Sequence, residues 1–233
     1  MIINPEDSME AMSLIKFFSK EEHFLWLKDW YTMFRTPHYY RECEDIGRGD
    51  KNESVIGFWD QRRGDDIPQL MINGKPIDIS SIQSLMIYPP HEQSDSWMQS
   101  WCVVGRFNKF ELSLARMLEE FGIYFALLPS KNIKRYATAL QETSGLDVNF
   151  GFMRYSDNPL ERSLSVKDQS FEYQKEFRFY VGSCDKNEKQ DMELRVKNMS
   201  SLLTEAGSLK FTSENGEVRY CSTGSKEVVL SEE

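Results

Sequence analysis

Apolar and polar positions alternate most regularly over residues 171–181, F-E-Y-Q-K-E-F-R-F-Y-V. Phe171, Tyr173, Phe177, Phe179 and Val181 fall on one side of an extended chain, with Lys175 the one charge among them; Glu172, Gln174, Glu176, Arg178 and Tyr180 fall on the other. A period of two predicts a strand here, with one face for a core and one that holds polar groups on a rigid element. Those polar groups are either a solvated face, cross-paired with a neighbouring strand, or a functional constellation.

Helical spacing appears first at Phe24, Leu27, Trp30, Tyr31 and Phe34, between the capping box Ser19-Lys20-Glu21-Glu22 and the stop at Thr36-Pro37. This predicts one amphipathic helix whose aromatics pack a core. A second capping box, Asn108-Lys109-Phe110-Glu111, opens a helix carried by Phe110, Leu114, Leu118 and Phe121 and closed by Gly122. Ser130 is read as the cap of a third helix that ends near Gly145. Strands are expected at 55–59, 85–88, 97–104, 123–128, 148–155 and 192–196, with weaker ones at 217–221 and 227–230. Asn73-Gly74 supplies the positive dihedrals of a tight hairpin over 69–79. Strands outnumber helices and do not alternate with them, so the class is α+β on mainly antiparallel sheet, in a single domain.

The polar stretches carry the remaining chemistry. Residues 38–54 are dense in charge and glycine and fit no regular period. A long loop with Tyr39, Tyr40, Arg41, Arg48, Asp50 and Glu53 is either a solvated excursion or a ligand loop. Gly47 and Gly49 lack the preceding strand and following helix of a phosphate loop. Lys131, Lys134 and Arg135 share one helix face, the best basic patch in the chain. They are either a wet surface or a contact for phosphate or nucleic acid, with Arg106 and Lys109 as neighbours. A net charge of -9 argues against a protein that wraps nucleic acid by charge alone and leaves room for a local basic groove. Four scattered cysteines and three histidines without metal-ligand spacing predict neither a disulfide framework nor a metal site. No apolar run is long enough for a bilayer, and the start M-I-I-N-P-E-D lacks a secretory layout, so a cytoplasmic protein without membrane contact is expected.

The order of several segments adds a resemblance. Y-Y-R-E-C-E-D-I-G-R-G-D-K-N-E, then S-W, then F-G-I-Y-F-A, then K-D-Q-S-F-E-Y-Q-K-E-F-R-F resembles an uncharacterised bacterial and phage family whose members end in a Y-E-K-E-W-R-like strand. The likeness covers roughly residues 14–182, leaving 183–233 as a C-terminal extension. Phe177 stands where that family usually has tryptophan. The family in turn is similar to the ADP-ribosyltransferase superfamily, a split β-sandwich with a few flanking helices. That superfamily carries an arginine or histidine on an early element, a serine or tyrosine in mid-chain and a late Q/E-x-E.

The resemblance implies an ADP-ribosyltransferase-like protein that cleaves NAD and modifies a protein or nucleic-acid acceptor, in conflict between phage and host. It implies Glu176 as the carboxylate that stabilises the oxocarbenium-like charge as nicotinamide leaves, and Gln174 as the residue that orients the acceptor. Arg41, with Arg48 as its alternative, would pair with the pyrophosphate; Tyr39 or Tyr40 would stack on nicotinamide; Ser100 would sit on the central strand. No early-strand arginine or histidine is apparent, since His23 falls inside the expected helix. The rival expectation is a non-catalytic phage or bacterial protein that binds and inhibits a defence component. Glu176 in a concave pocket with Gln174, Ser100 and a tyrosine from residues 39–40 favours the first; Glu176 facing open solvent or locked onto Arg178 favours the second.

Overall fold

The computed structural model describes residues 11–45, 47–88, 95–105, 110–158, 160–204, 207–212 and 216–231. Its first element, the strand β1 (Ala11–Phe18), has no counterpart among the expected ones. Helix α1 (Glu21–Asp29) starts near the capping pattern, but Lys20 occupies the cap position and makes no side-chain capping hydrogen bond. The helix stops before Tyr31. Trp30, at φ 147°, turns the chain, and Tyr31–Phe34 becomes strand β2. Sheet pairing overrides helical spacing here, because Y-T-M-F is rich in strand formers and finds a partner far along the chain. Helix α2 (Pro37–Glu42) then interrupts what reads as a loop: Thr36 accepts from the Tyr39 amide at 3.1 Å, and Pro37 fits the first turn.

Strand β3 (Gly57–Asp60) is followed by the expected hairpin, β4 (Met71–Ile72) and β5 (Lys75–Pro76), with Asn73 at φ 51° and Gly74 at φ 75°. Strands β6 (Ser84–Ile87) and β7 (Asp95–Gly105) come next. Helix α3 (Leu114–Phe121) closes at Gly122 as the sequence predicts; its expected capping box at Asn108 and Lys109 lies outside the described residues, as does Arg106. After β8 (Tyr124–Pro129), a 3₁₀ turn over Ser130–Asn132 moves the cap of α4 (Ile133–Ser144) from Ser130 to Asn132. Strands β9 (Val148–Phe152), β10 (Arg154–Ser156) and β11 (Val166–Asp168) precede the stretch with the cleanest alternation.

That stretch is only half a strand. Asp168 accepts from the Ser170 amide and starts a 3₁₀ turn over Gln169–Gln174; Lys175 closes it in the left-handed region at φ 46°, ψ 51°. Strand β12 (Glu176–Cys184) begins only then. From Glu176 onward the alternation holds: Phe177, Phe179 and Val181 are buried on one face, while Glu176 and Arg178 are buried on the other. Strand β13 (Met192–Arg195), helix α5 (Met199–Leu202) and strands β14 (Ser208–Thr212), β15 (Val218–Ser222) and β16 (Val228–Ser231) complete the described chain.

The molecule is α+β and mostly antiparallel. Its central sheet has the order β8-β1-β7-β12-β9, with every neighbour antiparallel. On one face Trp101, Phe177 and Phe179 meet Tyr136 and Leu140 of α4, and Leu194, Val196 and Met199 join the same cluster. On the other face Ile15, Phe17 and Phe125 meet Leu114 and Met117 of α3, with Cys221 from β15. Burying each such side chain contributes about 1.5–3 kcal/mol. Residues beyond 182 thus supply core to both faces, and β13 gives β2 its sheet partner.

One departure from regular pairing positions the site. β1 pairs with β8 along its length to Phe18, but with β7 only as far as Ile15 opposite Cys102. Past that point β1 leaves β7, and Arg35, just after β2, takes up pairing with Met98 instead. The sheet is split between β1 and β7.

Candidate functional site

A cleft of about 420 Å³ opens in this split. Its floor includes Lys16 from β1, Ser100 and Cys102 from β7 and Glu176 from β12; its walls come from α1, β2, α2 and the loop at Gly47 and Arg48. Parting the strands frees the Ser100 carbonyl from sheet pairing, and Lys16 Nζ donates to it at 2.8 Å. Burial pulls the Lys16 ammonium down to about 8. The Lys16 stem lies beside Phe18 and Trp101, with the ammonium 6.0 and 5.8 Å from their ring centroids.

Glu176 sits in a closed network. Oε1 accepts from Ser100 Oγ and from Arg178 Nε at 2.6 Å, and Oε2 accepts from Lys167 Nζ at 2.9 Å. Burial by itself raises the carboxyl, but Arg178 and Lys167 outweigh it and hold Glu176 well below the usual carboxylate range. Arg178 is 1% exposed and is gripped in turn by Glu53, its Nη1 and Nη2 donating to the two carboxylate oxygens at 2.6 and 2.8 Å. The Glu176 amide donates to Tyr155 Oη at 2.7 Å. Asp50 is buried nearby; burial first, then the charge of Glu53, push its carboxyl up to about 6.

Gln174 reaches the same point by a route that the alternation does not anticipate. It lies at the end of the 3₁₀ turn, not on β12, yet its Oε1 accepts from Lys167 Nζ at 3.1 Å and its Nε2 donates to the Gly47 carbonyl at 2.7 Å. Lys167 thus joins Gln174 to Glu176. Tyr39 and Tyr40 both line the cleft, their rings edge to face at 5.3 Å.

Arg41 stands elsewhere. Its guanidinium donates to the Glu53 carbonyl at 3.1 Å, to Ser54 Oγ at 2.7 Å and to the Lys186 carbonyl, and it pairs with Asp95 at 3.5 Å. These bonds tie the loop to the start of β7 and leave Arg41 outside the cleft lining. Arg48, the alternative, does line it, and so does Arg35, which pairs with Asp191 and stacks on the Tyr39 ring at 4.3 Å. Lys131, Lys134 and Arg135 are exposed around the start of α4; none of them lines the cleft.

The sequence reading overlooked Lys16, Arg35, Tyr155 and Lys167. For Lys16 a signal existed: a lone lysine inside the apolar run L-I-K-F-F belongs to a buried strand or to a site. Lys167 carried none, because V-K-D is ordinary strand sequence and only the turn that follows brings it beside Glu176.

In charge, the lining inverts the molecule. Lys16, Lys20, Arg35, Arg48, Lys167 and Arg178 line the cleft with one carboxylate, Glu176, in a chain of net charge -9, while Arg178, Arg35, Arg48 and Lys20 are paired with Glu53, Asp191, Asp45 and Glu22 behind the lining. Such a cleft focuses positive potential on an anionic ligand. Among the described residues no group of histidine, cysteine and carboxylate side chains is placed to hold a metal, and no helix is long and apolar enough to cross a membrane. No family model, curated protein or solved structure matches the chain.

Proposed function

We propose that the cleft binds NAD and that the protein is an ADP-ribosyltransferase-like enzyme, cleaving the nicotinamide bond beside Glu176 and passing ADP-ribose to a protein or nucleic-acid acceptor. The observation that carries this reading is the cationic lining around one carboxylate: among the described residues Lys16 and Lys167 have no acid partner besides Glu176, Arg35 and Arg48 line the same cleft, and together they suit a pyrophosphate ligand with one developing positive centre. Three adjacent strands supply the parts in order. Lys16 is a cation on the early strand β1, Ser100 lies on β7, and Glu176 opens β12, which supports the reading.

A carboxylate has about four lone-pair sites, and Ser100, Arg178 and Lys167 fill three at Glu176. One remains for a ribose hydroxyl. The ion pairs keep Glu176 charged at neutral pH, the state that stabilises an oxocarbenium-like centre. Gln174, held between Lys167 and Gly47, orients the acceptor, and Tyr39 or Tyr40 stacks on nicotinamide. A nucleic-acid acceptor would lie along the exposed Lys131, Lys134 and Arg135.

A second reading is favoured by the engagement of both Glu176 oxygens with buried cations. In it the network is a structural clasp, and the protein is a non-catalytic phage or bacterial factor that binds and inhibits a defence component.

Nicotinamide release from NAD separates the two, measured with purified protein and cell lysate as acceptor source. Release should fall 10²- to 10³-fold in Glu176→Gln. Because that substitution leaves Arg178 and Lys167 under-compensated, Tyr39→Ala and Lys16→Met are measured beside it, with melting curves for all. A folded wild-type protein that neither binds nor turns over NAD removes the enzymatic reading.

A further inference from the structure

Part of the cleft lining is left unused by chemistry at Glu176. It is formed by His23 and Trp26 of α1 and Tyr31 of β2. The His23 ring centroid lies 5.0 Å from that of Trp26, and the Tyr31 ring meets Trp26 edge-on at 5.6 Å. Trp26 is 45% exposed, and the one buried side chain of α1 is its neighbour Leu27. A tryptophan in that position adds little to the core. What it adds is a broad, half-exposed π surface in the lining of a cleft that also carries cations.

We infer that Trp26, flanked by His23 and Tyr31, is a stacking subsite for a planar heteroaromatic ring, and that the cleft takes a dinucleotide with its adenine at this subsite. The inference rests on the reading of the cleft as a nucleotide site. Its added content is the direction of binding and the preference for two rings over one. Lys16 and Arg35 line the same cleft, so phosphates placed over them join a ring at Trp26 to a ribose at Glu176. Arg35 is already stacked on Tyr39 and paired with Asp191, which fixes its guanidinium where it can receive phosphate without first being ordered. A half-exposed indole accepts any base by its face, so adenine is selected by its place in the ligand, on the far side of the phosphates from nicotinamide.

The test is calorimetric titration of the full chain with NAD, ADP-ribose, AMP and nicotinamide mononucleotide, followed in parallel by tryptophan fluorescence, in wild type, Trp26→Ala and Trp26→Phe. AMP and ADP-ribose should quench the wild-type emission. Trp26→Ala should weaken NAD, ADP-ribose and AMP about tenfold or more while leaving nicotinamide mononucleotide unchanged, and Trp26→Phe should restore most of the loss. NAD and ADP-ribose bound by Trp26→Ala as tightly as by wild type would overturn the subsite and leave the nucleotide reading standing. Equal weakening of all four ligands would overturn it as well, since a general disturbance of α1 has that effect. If the folded wild-type protein binds none of the four, the subsite and the nucleotide reading fall together.

Discussion

Asp50 is a buried carboxyl whose near neighbour Glu53 is already committed to Arg178. Burial and that second carboxylate raise it to about 6 from an ordinary value near 3.8. The folded chain therefore holds the Asp50 proton through a range in which the unfolded chain has released it. Its contribution to stability is full below about 3.8, falls as pH rises toward 6 and is absent above. At neutral pH the ionised, buried Asp50 is a cost. Asp50→Asn keeps the acceptor for the Asn52 amide at 2.9 Å and removes the charge. It should raise unfolding free energy at pH 7 by about 1–3 kcal/mol and flatten the pH dependence between 4 and 6, as read from urea melts across that range. Glu176 behaves oppositely: its depressed carboxyl stabilises the fold above the ordinary carboxylate range and loses that only as pH falls well below it.

At the scale of elements, the split between β1 and β7 depends on how β1 is held from its other side. Gly122, at φ 111°, joins α3 to β8, and a Cβ there would overlap the Phe18 carbonyl and the Ser19 Cα at the end of β1. Gly122→Ala should therefore cost about 2 kcal/mol or more and loosen the cleft mouth, seen as a lower melting temperature and weaker NAD binding. The same comparison shows what local pattern reveals. The hairpin at Asn73-Gly74, the helix end at Gly122 and the alternation from Glu176 to Val181 were legible, because each is set by local chemistry. The extended run of 171–175 was not, since Asp168 and Lys175 close a turn whose residues still mimic a period of two. Nor was β2: its helical spacing is genuine, but β13 claims it from some 160 residues away. Within the site, Glu176 follows from the alternation, Gln174 from an alternation that its turn does not keep, and Ser100 and the tyrosines from segment order; Lys16 left a signal in L-I-K-F-F, whereas Lys167 and Arg35 arrive through tertiary pairing that no window of sequence displays.

At the scale of the whole molecule, charge and core lead to one expectation for the C-terminal portion. Leu194, Val196, Met199 and Leu202 are buried in the cluster that holds Trp101 and Phe177, and β13 is the sheet partner of β2. A chain cut after residue 183 should fail to give a cooperative unfolding transition by circular dichroism, even though it retains the entire cleft floor. The pairing of β2 with β13 also has a temporal side. Translation delivers β1, α1 and β2 well before β13, so Tyr31–Phe34 lack their ladder partner until residues 192–195 have been made, with Arg35 alone paired earlier to Met98. The nascent chain carries Lys16, Lys20, Arg35 and Arg48 long before it can assemble them with Lys167 and Arg178. A ribosome must therefore release residues 192–195 before the wall of the cleft can close into its folded form.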